Sequence, residues 1–166
     1  MIEVTRRVQA APDAVWRVLA NGWLYPSWVV GASRMRAVDA RWPQPGSTLH
    51  HSVGVWPALI SDSTTVVDAE PGRRLLLQAR GWPMGEARIE LTIEPDGQGC
   101  VVTIFEDATH GVARVLPAPA RQLLLGGRNT ETLQRLAFLA EAQEHPAQGG
   151  PDGLGESHVR KTVRKT

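Results

Sequence analysis

Apolar and polar residues alternate over the first nine positions. Ile2, Val4, Arg6 and Val8 fall on one side and Glu3, Thr5, Arg7 and Gln9 on the other, a period of two that predicts a half-buried strand. The alternation stops at Ala10-Ala11. Pro12 then stands where a first helical turn tolerates a missing N–H, and Asp13 suits the positive helix start. Val15, Trp16, Val18 and Leu19 form an apolar stripe, so a short helix is expected as far as Asn21-Gly22. Trp23 to Val30 is apolar but interrupted by Pro26, and reads as one or two further helical turns.

From Ala32 to Pro95 the runs become short and β-like. They are divided by turn sequences at Pro43-Gln44-Pro45-Gly46, Glu70-Pro71-Gly72 and Glu94-Pro95-Asp96-Gly97, which predicts an antiparallel meander. Its clearest member is Glu86 to Glu94, with Ala87, Ile89, Leu91 and Ile93 facing one way and charged or hydroxyl residues the other. Cys100 to Ala108 supplies a last strand. From Pro119 to Gln143 the period lengthens to that of a helix, bringing Leu123, Leu124, Gly127, Leu133, Leu136, Ala137 and Ala140 near one face. Gly126-Gly127 costs on the order of 1 kcal/mol per residue relative to Ala inside a helix. The pair therefore marks a local break, room left for a ligand, or a helix that begins only near Arg128.

After His145 the chain turns to Gly149, Gly150, Pro151, Gly153 and Gly155, then repeats Val-Arg-Lys-Thr at 159–162 and 163–166. Residues 1–144 are expected to form one domain and 145–166 a flexible, Gly-rich basic tail. A chain of 166 residues, 42% hydrophobic and 21% charged, is long enough for one core without disulfides or metal. A net charge of +1 offers no footprint for nucleic acid. No run approaches the ~18 apolar residues of a membrane span, and the charged N-terminal segment does not read as a signal peptide. Cys100, the single cysteine, excludes an internal disulfide and a multi-cysteine metal site. These features predict a cytoplasmic protein, monomer or homodimer, with no nucleic-acid partner and no stable membrane insertion.

One stretch is more specific. Val8-Gln9-Ala10-Ala11-Pro12-Asp13-Ala14-Val15-Trp16-Arg17-Val18-Leu19, followed by Tyr25-Pro26-Ser27-Trp28, resembles the opening of the START-like, polyketide cyclase/dehydrase-type (SRPBCC) superfamily. Glu70-Pro71-Gly72-Arg73-Arg74-Leu75 is similar to its link between strands. Arg128-Asn129 with Leu133, Leu136 and Ala140-Glu141 is similar to its final helix. The resemblance covers about residues 2–142. It implies an α+β helix-grip fold, in which a curved antiparallel sheet wraps a long C-terminal helix, two short helices follow the first strand, and a cavity lies inside. The superfamily contains lipid carriers, hormone receptors, aromatase/cyclases and chaperone activators, so the fold does not select a function.

Three tryptophans precede proline, at Trp42-Pro43, Trp56-Pro57 and Trp82-Pro83, which holds each extended at an expected strand end. Trp56 and Trp82, with Met84 and Trp28, are candidates for lining the cavity, or for packing as ordinary core; Trp16 is assigned to core. Glu106 follows Val102 and Ile104 at a spacing of two, and His110 continues the alternation. An inward carboxylate and imidazole there would act as acid and base or orient a ligand, whereas a frayed strand end would leave Glu106 solvated. His50 and His51 point to opposite faces of a strand, so at most one enters a cavity; His51 is the candidate. Leu124 and Gly127 are the helix residues expected to meet a ligand. No His/Cys/Asp/Glu spacing suggests a metal site, no cofactor is implied, and serine-nucleophile, P-loop and dinucleotide motifs are absent. The expected function is binding of a small hydrophobic or aromatic molecule, as carrier or sensor. A cofactor-independent cyclase or dehydratase using Glu106 and a histidine is the alternative, and a surface interaction role a further one.

Overall fold

The computed structural model describes residues 1–81, 85–110 and 118–144, with side chains at all of these except 55, 81, 108–110 and 118–124. Strand β1 (Ile2–Val8) leads into α1 (Pro12–Ala20), a single 3-10 turn (Gly22–Leu24) and the short α2 (Tyr25–Trp28). Strands β2 (Ala32–Val38), β3 (Thr48–Val55), β4 (Ala58–Glu70), β5 (Arg74–Gly81), β6 (Gly85–Asp96) and β7 (Gly99–His110) follow, and α3 (Ala118–Glu144) ends the described fold. Each strand from β3 to β7 pairs antiparallel with its predecessor. β1 closes on β7, giving one seven-stranded sheet in the order β1-β7-β6-β5-β4-β3-β2. The helix-grip arrangement expected from the chain is the one observed.

The core lies between the sheet and the helices. Helix α1 buries Ala14, Val15, Val18 and Leu19, while α3 buries Leu133, Leu136, Ala137 and Ala140. The sheet answers with Leu49, Val66, Leu75, Leu77, Leu91, Ile93, Val102 and Ile104. These apolar side chains remove enough surface from water to fix the register, since a one-residue slip would turn every one of them outward. On the opposite face of β5 and β6 the charges pair among themselves: Arg74 contacts Glu90 and reaches Asp68 at 2.7 Å.

Two expectations are corrected. Helix α3 runs unbroken through Gly126-Gly127, so it neither breaks there nor begins at Arg128. A Cβ built on either glycine would meet nothing within 4 Å, so no close contact requires glycine. Trp42 and Trp56 occupy turns rather than strand ends, each joined to its proline by a cis bond. Trp42 is buried and its indole N–H donates to the Leu19 carbonyl at 3.0 Å.

Candidate functional site

The inward-facing residues of β5 shrink along the strand, from Leu75 and Leu77 to Ala79 and Gly81. Their partners on β6 shrink in step, from Leu91 and Ile89 to Ala87 and Gly85. At the leucine end the sheet and helices pack solidly. At the small-residue end the space stays open, because Ala and Gly cannot fill the distance to α3. The result is a cavity of about 180 Å³ whose walls include Val29, Ala32, Val53, Ala79, Ala87, Ile89 and Leu125.

Two polar groups face this space. On one side, Thr64 Oγ1 on β4 lies 3.1 Å from both the Tyr25 hydroxyl and His51 Nε2. The Tyr25 and His51 rings are 5.0 Å apart, and Tyr25 meets Trp28 edge-on at 5.3 Å. Burial dominates the titration of both rings. It pushes the Tyr25 phenol up to about 12, and holds the His51 imidazole down at about 4 with help from the Arg36 and His50 charges. His51 is 3% exposed, and among the described residues its Nδ1 has no hydrogen-bond partner of ordinary geometry; the Ser52 backbone nearby offsets only part of the burial effect. Both rings are therefore neutral near pH 7. Asp62 also lines the cavity, its carboxyl raised above the usual range by burial.

On the other side, Glu106 on β7 is 4% exposed and accepts hydrogen bonds from Asn129 Nδ2 at 2.8 Å and from Arg128, with which it forms an ion pair. Arg128 and Asn129 come from adjacent positions on α3, so the pair ties helix to sheet at the cavity's edge. A carboxylate this deep requires such partners, since unpaired it would cost several kcal/mol.

The profile of the family described as polyketide cyclase / dehydrase and lipid transport matches residues 1–141. The chain belongs to this family. No curated protein is significantly similar to it in sequence. Among solved structures, the steffimycin-pathway di-domain aromatase/cyclase StfQ superposes with a TM-score of 0.67 at 16% identity, over 86% of this chain and 50% of that one. The Zhui aromatase/cyclase from a Streptomyces species gives 0.65 at 19% identity, covering 90% and 98%. Protein CV1439 from Chromobacterium violaceum gives 0.63 at 19% identity, covering 83% and 95%. At these identities the likeness is one of fold.

Within this family fold the sequence candidates separate. His51 and Glu106 line the same cavity, His51 from β3 and Glu106 from β7, while His50 is exposed on the other face. Trp28 is buried in the core, with Tyr25 between it and the cavity polar groups, and Trp56 is 81% exposed in the β3–β4 turn. Gly127 is exposed on α3 and is not among the wall residues. His110 ends β7, but a register shift between Glu86 and Ala87 interrupts the strict alternation that linked it to Glu106; its side chain, like that of Leu124, lies outside the described residues. Trp82 and Met84 also lie outside them. Among the described residues, no three His, Cys, Asp or Glu side chains gather as a metal site, and no helix is long and apolar enough to cross a membrane.

Sequence reasoning missed Tyr25, Asp62, Thr64 and the Arg128-Asn129 pair as site residues. It also missed the taper from Leu75 to Gly81, which was visible in the chain as inward positions losing volume in sequence order.

Proposed function

We propose that the chain binds a small hydrophobic or aromatic molecule in this cavity, as a cytoplasmic carrier or sensor, with residues 1–144 as the ligand-binding domain. The observation that carries the reading is a space of about 180 Å³ left by small residues on two facing strands, where larger ones would have filled it. An apolar cavity of ~150 Å³ accepts benzene, and pockets for drug-sized ligands start near ~300 Å³. The volume therefore suits a ligand of one or two rings. Affinity comes from apolar burial, while the neutral Tyr25–Thr64–His51 group and Arg128 orient a hydroxyl or carbonyl.

A cyclase or dehydratase role is the second reading, favoured by His51 and Glu106 lining the same cavity. Against it, Glu106 is already engaged by Arg128 and Asn129, and His51 Nε2 by Thr64. Such groups suit holding a ligand better than moving its protons. Native mass spectrometry of freshly purified protein tests the proposal, with extraction and identification of any bound compound. A co-purifying one- or two-ring molecule supports binding. A clean apo mass, with no affinity for small aromatic probes, overturns it. Turnover of a poly-β-keto thioester that vanishes in Glu106→Gln would move the assignment to the enzyme.

A further inference from the structure

The β3–β4 hairpin extends past the cavity and ends in an apolar tip. Val53 lines the cavity and pairs with Ile60, and the next residue, Gly54, donates its N–H to the Gly31 carbonyl at 3.1 Å. Beyond that point Trp56 is 81% exposed in the turn, and Leu59, which pairs with Gly54, is exposed beside it, whereas Ile60 pairs with Val53 and turns to the opposite face from Leu59. The exposed Trp56 and Leu59 at this tip are not explained by the core, since neither contributes to it.

The exposed charge on the neighbouring edge strand is basic, while Asp62, just beyond Ser61 on β4, is half-buried and lines the cavity. Between Trp23 and Ser61 the only acid is Asp39, and it pairs with Arg41 at 3.4 Å. Arg34 and Arg36 stand on the edge strand β2 beside β3; Arg34 pairs with Ser52 in register and is exposed. An exposed indole flanked by aliphatic residues, with guanidinium groups a short way behind, matches a bilayer interface: the ring occupies the headgroup boundary and the cations meet anionic lipid phosphates. A protein partner would call for a flatter and larger patch than one turn offers.

We propose that the β3–β4 tip, with Arg34 and Arg36, docks the protein on an anionic membrane surface, bringing the cavity end of the sheet to the lipid boundary. This goes beyond the cavity-binding reading and holds whether or not a ligand occupies the cavity. The contact is peripheral, through Trp56 and Leu59, and inserts no helix.

Co-sedimentation of the full chain with phosphatidylcholine vesicles, with and without phosphatidylserine, tests it. The wild type is expected to partition onto the anionic vesicles. The Trp56→Ser/Leu59→Ser variant should lose roughly ten-fold or more in partition, and Arg34→Gln roughly five-fold. Trp56→Phe should keep most of the binding but lose the fluorescence quenching that acyl-brominated lipid produces in the wild type. The basic segment 159–166 is present in every protein compared, so its own attraction to the vesicles is common to all. The proposal is overturned if the wild type stays in the supernatant, or if the double variant binds as well as wild type, which would assign the contact to that segment. Light scattering that shows a dimer dissolved by Trp56→Ser/Leu59→Ser overturns it too, since a second copy would then cover the tip.

Discussion

His51 shows how one residue's surroundings set its chemistry. On β3 its neighbour His50 faces solvent, whereas His51 turns inward and loses water, so its imidazole is held down at about 4. The folded pKa lies below the unfolded value of about 6.5, so folding favours the neutral ring. As pH falls from about 6.5 to about 4 the unfolded chain takes up a proton that the folded one refuses. Stability is lost across that window, on the order of 2–3 kcal/mol, and not further below it. Urea melts at several pH values should show this slope for the wild type and a shallower one for His51→Gln; equal slopes would place the titration elsewhere. Glu106 makes a different demand. Arg128→Leu leaves its carboxylate with only Asn129, and should cost roughly 1–3 kcal/mol, the lower part of the range reflecting the partial exposure of Arg128. Adding Glu106→Gln should restore part of that loss, a non-additivity measured by the double-variant cycle.

Among the elements, α1 and α3 depend on one another at their ends. The residue before α1, Ala11, has no side chain able to cap the helix. Its N–H donates instead to Glu144 Oε2 at 2.6 Å, and the Gln9 N–H donates to Glu141 Oε1 at 2.9 Å, both from the last turn of α3. Glu144 thus does from a remote element what the Glu of a capping box does from within the helix, while the first-turn N–H groups of α1 still lack a side-chain acceptor at Ala11. Glu144→Ala should therefore lower stability by about 0.5–1 kcal/mol, and Ala11→Ser introduced in that background should recover part of it, read as shifts in the denaturation midpoint. This dependence was hidden in the chain, because nothing about Glu144 as a sequence position says that it reaches Ala11. The elements themselves were legible: the period of two in Ile2–Val8 and Glu86–Glu94, and the helical spacing from Leu133 to Ala140, report single-chain geometry directly. The glycines at 126 and 127 misled because propensity is local, while α3 is held by packing on β1, α1 and α2.

For the whole molecule, the question is why a chain with so many leucines leaves a hole. Inward positions on β5 and β6 are large near Leu75 and Leu91 and small near Gly81 and Gly85, so the sheet grips α3 tightly at one end and stands away from it at the other. Glu106 could be placed inward from Val102 and Ile104 by alternation alone, but Tyr25, Thr64 and Arg128 reach the cavity from three separate elements, a convergence that only the folded chain creates. If the cavity is where ligand binds, volume alone should control affinity. Replacing Ala87 by Leu adds three carbons into the space, each worth about 0.8 kcal/mol when buried, against an overpacking cost of about 1–3 kcal/mol. The two nearly cancel, so the variant should fold with stability within about 1 kcal/mol of wild type while its affinity for a neutral aromatic probe falls at least roughly ten-fold. Retained affinity would mean that the probe sits elsewhere. A large loss of stability would mean that the wild-type structure closes around Ala87 in solution, and that the chain's small residues serve backbone packing rather than a ligand.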